Sequence, residues 1–141
     1  RNQADHSRGR TTDGAATWSV FLSPTPGNTN TNAFNEYEYT PQFSLAPGFY
    51  TGNQSVSISC TDATASIYYT TDGSSPTTSS TLYTAPISVT TTTVIKARAF
   101  STNPQVPPSF VEPNTYFINV SYTVPVVSAS STDLLNRIFV V

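Results

Sequence analysis

The sequence predicts an all-β chain built as one antiparallel β-sandwich with extended arms at both ends, and three observations carry that expectation. Helical periodicity is missing over nearly the whole length, whereas short segments alternating apolar and polar residues recur between clusters of Pro, Gly and Asn. The 11 prolines stand mostly between those segments, where a missing N–H costs no ladder bond. With eight Phe, eight Tyr and one Trp, the 141 residues hold enough apolar mass for one core, since a single sandwich takes about 100 residues.

Taken in order, "ATWSVFL" (16–22) reads as a strand, and "SPTPGNTNTN" (23–32) as the polar linker that ends it. A boundary there divides the chain into an N-terminal strand segment with linker (1–32), a sandwich domain (33–124) and a C-terminal arm (125–141). The stretch 33–50 is expected to be an extended lead-in. Strands follow over 53–60, 65–71, 80–89 with a break, 91–100 and 114–124, paired antiparallel because no crossover helix is on hand to join parallel neighbours. In the 91–100 strand Ile95, Ala97 and Ala99 share one face and Lys96 and Arg98 the other, so one side should be buried and one wet. "STDLLNRIF" (131–139) alone could begin a helix, capped by Ser131 or Thr132, while the final "RIFVV" equally suits an edge strand.

Between the second and third strands lies Asp72-Gly73, ordinarily the signature of a two-residue hairpin turn. Such a turn would place Pro76 inside the returning strand, where it has no N–H to give. A longer loop over 72–79 is expected instead, organised by Asp72 bonding forward to nearby amides, with Gly73 and Pro76 shaping it.

Charge and composition exclude several functions. A net charge of −2 with Lys96 as the sole lysine gives no footprint for nucleic acid, which demands clustered cations. No apolar run is long enough to span a bilayer as a helix. Absence of Met predicts a processed or excised piece of a longer secreted precursor, located outside the cell or on its surface. The single cysteine, Cys60, falls in register with Val56 and Ile58 and is expected to be a core thiol. One His and one Cys are too few for a transition-metal site, and no cofactor is implied. Glu36 and Glu38 are the only acids close in sequence, on a segment expected to be exposed, so no catalytic residue is assigned.

Three stretches together resemble a known family: "YYTTDGSSPT" (68–77), "LYTAPI" (82–87) and "TTTVIKARAF" (91–100), closed by "TYF" (115–117). In that order they resemble the chitobiase/β-hexosaminidase C-terminal repeat domain over about residues 41–122. The resemblance implies an immunoglobulin-like sandwich without catalytic residues of its own, attached to secreted hydrolases and large surface proteins. "SRGRTTDGAATW" (7–18) with "SPTPGNTN" (23–30) resembles the closing strands of a bacterial lamin-tail domain, about residues 6–30. "YTVPVVSASSTDLLN" (122–136) resembles the lead-in to a spore-coat-H-type kinase-like domain, whose activity is not carried over.

Two readings of the aromatic residues stay open. Tyr37 and Tyr39, on one face of an extended segment, and Tyr68 either pack on neighbouring parts of the chain or stack on a polysaccharide. Unpaired β-prone ends, with Trp18, Val20 and Leu22 at one and Ile138, Phe139 and Val140 at the other, suit strands donated to another copy. The expected function is thus a non-catalytic structural or adhesive module of a bacterial surface protein, able to assemble into a fibre, whose partners are other copies of itself or neighbouring domains. The alternative is an accessory carbohydrate-binding module of a polysaccharide-degrading enzyme.

Overall fold

The computed structural model describes residues 1–121, so Ile138, Phe139 and Val140 lie outside the described residues. Among these the chain is all-β, an immunoglobulin-like sandwich preceded by a hairpin. The hairpin pairs β1 (Ser7–Arg10) with β2 (Trp18–Phe21), Ser7 opposite Phe21 and Arg10 opposite Trp18. One layer of the sandwich is a five-stranded sheet in the order β4 (Gly48–Tyr50), β11 (Glu112–Ile118), β10 (Thr93–Phe100), β7 (Ser66–Thr70), β8 (Thr81–Leu82). The opposite layer comprises two short pairs, β3 (Gln42–Phe43) with β6 (Ile58–Ser59) and β5 (Gln54–Val56) with β9 (Ile87–Val89).

Alternation in β10 builds the core. Ile95, Ala97 and Ala99 are fully buried, while Lys96 and Arg98 on the other face are only half-covered. Val56, Ile58 and Val89 meet them from the opposite layer, with Ile67, Tyr116 and Ile118 completing the cluster. The buried Tyr116 hydroxyl donates to the Leu45 carbonyl at 2.8 Å and accepts from Asn114 Nδ2 at 3.2 Å, so this polar atom enters the core satisfied.

The structure departs from the sequence reading in three places. The strand expected over 53–60 is cut at Ser57, whose N–H donates to Ser44 Oγ at 2.9 Å and whose carbonyl accepts from Ser44 N at 2.8 Å. The two halves therefore pair with different partners, 54–56 with β9 and 58–59 with β3. The lead-in is not merely extended, since it supplies β3 and β4, and β4 runs parallel to β11 with Phe49 opposite Phe117. Antiparallel pairing is thus not universal, because the chain traverses the whole sandwich between these two strands and returns in the same direction. Finally, β11 begins at Glu112 and contains Pro113, beyond the stretch 116–118 that β4 reaches. On that open flank a missing N–H is tolerated.

Candidate functional site

The Asp72 loop is held by its own polar groups. Asp72 Oδ1 accepts from Ser74 Oγ at 2.6 Å and from Ser74 N at 3.0 Å. The Ser74 hydroxyl and then its N–H hold this carboxyl below the usual carboxylate range. Gly73 has φ +84, the left-handed region that glycine enters at least cost, and its carbonyl accepts from Lys96 Nζ at 2.5 Å. Pro76 is fully buried, and beyond it Ser80 N donates to Thr77 O at 3.0 Å while Thr77 N donates to Ser80 Oγ at 3.0 Å. With its donors and acceptors bonded to one another, this loop returns the chain to β8.

A second loop uses the same device. Asp62 Oδ1 accepts from Thr64 Oγ1 at 2.7 Å and Thr64 N at 2.8 Å, which likewise holds its carboxyl low. Asp-x-Thr at 62–64 repeats the Asp-x-Ser spacing of 72–74, and that spacing is the signal in the sequence that marks this turn.

The three tyrosines have different fates. Tyr37 is half-buried at the junction of the hairpin and the sandwich: its hydroxyl lies 2.9 Å from His6 Nδ1 and accepts from Gln3 N at 3.2 Å. Its ring stacks on His6, with centroids 5.7 Å apart, and meets Phe110 edge-on at 5.0 Å. Around it, Arg98 Nη2 donates to Gln3 Oε1 at 2.5 Å, Gln3 Nε2 donates to Pro108 O at 2.7 Å, and the Arg1 guanidinium lies over Phe110. Tyr68 is half-buried and meets Phe100 edge-on at 5.5 Å. Tyr39 is 60% exposed.

Between Tyr37 and Tyr39 the reading of an exposed acidic pair needs correction. Glu36 is exposed and takes a forked pair of hydrogen bonds from Arg8, which holds its carboxyl low. Glu38 is 5% exposed, and its Oε1 accepts from Tyr39 N at 2.8 Å. Consecutive residues of an extended segment point to opposite sides, so lodging Glu38 inward leaves Tyr37 and Tyr39 outward, where only Tyr37 finds the hairpin to cover it. Cys60 is half-buried rather than fully within the core, its Sγ donating to Tyr39 O at 3.3 Å, and burial pushes its thiol pKa up.

The strand that carries Trp18, Val20 and Leu22 pairs within its own chain: β2 pairs with β1, and Val20 also bridges Phe34. Val20 is fully buried, Leu22 half-buried and Trp18 63% exposed with the Arg10 guanidinium over its ring. Among the described residues no group of three or more His, Cys, Asp or Glu side chains is placed to hold a metal ion, and no helix is long and apolar enough to cross a membrane.

Fold and site together define a small immunoglobulin-like sandwich with a strand hairpin fastened to one end. Residues 45–110 match the family described as the chitobiase/beta-hexosaminidase C-terminal domain. Neither the curated proteins nor the solved structures give a match to the chain.

Proposed function

We propose that the chain is a non-catalytic structural module of a secreted bacterial surface protein, whose work is to fix the segment that precedes it against a rigid sandwich. The observation that carries this reading is the junction at Tyr37, where His6, Gln3, Phe110 and Arg98 converge from the hairpin and the sandwich. Backbone bonds reinforce it, Asn35 N donating to Gln105 O and Glu38 N to Pro107 O, each at 2.8 Å. The acids support a non-catalytic role by what they already do: Asp62 and Asp72 organise turns, and Glu36 pairs with Arg8. Limited trypsin digestion tests the fastening, because Arg8 and Arg10 lie in β1. Cleavage there should be slow in the native chain and at least tenfold faster in Tyr37→Ala. Native cleavage as fast as in a urea-unfolded control would sink the proposal.

Assembly into a fibre by strand exchange extends this reading. The hairpin joins the sandwich through the largely exposed linker 23–32, so the same junction could be closed by the hairpin of another copy, a low-cost route to association. Sedimentation of the full chain and of a form lacking 133–141 checks it: a monomer in both at high concentration contradicts exchange.

A further inference from the structure

We infer a saccharide-binding cleft on the face of the sandwich beside the hairpin junction, where the segment Asn35 to Tyr39, the turn at Asp62 and Thr64, and the loop from Ser101 to Val106 enclose about 630 Å³ of open space. The ligand is a neutral oligosaccharide, with Tyr39 as the platform for one sugar face and Glu38 and Asp62 as acceptors for its hydroxyls. This goes beyond the structural role and does not depend on it.

Three features converge. Tyr39 is 60% exposed at the cleft, whereas Tyr37 and Tyr68 are engaged with other rings, so the one free tyrosine of the three stands where polar groups gather. Glu38, almost wholly buried, lines the same cleft as Asp62, and two carboxyls at one cleft call for donors. No Lys or Arg lines the cleft to supply those donors, and vicinal sugar hydroxyls do so in pairs. Asn103 adds the complementary function: its Oδ1 already accepts from Gln105 N at 2.9 Å, which leaves its amide N–H groups as donors toward a ring or hydroxyl oxygen. An aromatic wall with a few convergent polar groups is the usual form of a small-ligand site. The carboxylates of Glu38 and Asp62, with the Arg8-paired Glu36 at the same cleft, also set specificity, because an anionic sugar would meet like charge.

The test is isothermal titration of the full chain with cellohexaose, mannohexaose and chitohexaose, with oligogalacturonate as the anionic arm and calcium chloride alone as a further arm. At least one neutral hexaose should bind and oligogalacturonate should not. Tyr39→Ala should weaken binding at least tenfold without moving the melting temperature, since its ring is largely in water, while Tyr68→Ala should leave affinity unchanged. The inference is overturned if no neutral hexaose binds at millimolar concentration, if Tyr39→Ala binds as the native chain does, or if oligogalacturonate binds equally well. It is overturned too if calcium alone binds and the sugars do not, which would make the two acids a cation site.

Discussion

The sandwich and the hairpin are both β-structure, yet they are held in opposite ways. In the sandwich, Ile95, Val56, Val89, Ala97, Ala99 and Tyr116 from facing layers lose almost all contact with water, and stability comes from burial of apolar surface. Within the hairpin only Val20 and Phe21 are buried, and it is fastened by individual contacts at Tyr37, Gln3 and His6. Packing at Gly9 is tight: a Cβ there would lie 3.2 Å from both the Phe21 ring and Asn30 Nδ2. A core shared among many side chains is weakened as a whole when one is cut, whereas a contact at one residue fails alone. The first region should therefore behave as one cooperative unit and the second as a separable one.

The largest effect is expected from breaking the sandwich itself. Ile95→Ala should cost about 2–5 kcal/mol, read as a lowered urea midpoint for the body and hairpin together, because a fully buried branched side chain is replaced by a cavity. Tyr116→Phe should cost about 1–3 kcal/mol, since it leaves the Leu45 carbonyl and the Asn114 amide short of a partner in the core. Both changes act on the apolar unit, and a midpoint that moved only for the hairpin would contradict the division.

Much of that unit was legible in the sequence. The alternation of Ile95, Ala97 and Ala99 with Lys96 and Arg98 marks β10 and its buried face from local pattern alone. Pro76 and Asp72 likewise imply a long self-bonded loop, because backbone restriction and side-chain reach act over a few residues. The parallel pairing of β4 with β11 was not legible, since it joins Phe49 to Phe117 across the entire sandwich. Nor was the break at Ser57, which rests on a bond from Ser44 that no period-2 pattern encodes. Glu38 misled for the same reason: a charge in an extended segment reads as solvated until the turn at Asp62 is seen beside it.

Smaller effects sharpen the contrast at the loops. Asp72→Ala should raise amide exchange across 72–79 while leaving the β10 core protected, because it removes both bonds to Ser74. The folded state lowers the Asp72 pKa, so its contribution is present above the ordinary carboxylate value of about 3.9 and is lost as pH falls through the lower folded value. A loop whose exchange is the same with and without the carboxylate would remove Asp72 as its organiser. Smallest of all, Cys60 should react with a disulfide reagent at pH 8 more slowly in the folded chain than in urea, because burial raises its pKa and depletes the thiolate.

The central claim is that the hairpin is a separable unit held on the sandwich by Tyr37, and hydrogen exchange followed by mass spectrometry tests it most directly. In Tyr37→Ala the amides of Ser7–Arg10 and Trp18–Phe21 should lose protection at least tenfold while those of Thr93–Phe100 keep theirs. Protection lost equally in both regions, or in neither, would contradict it.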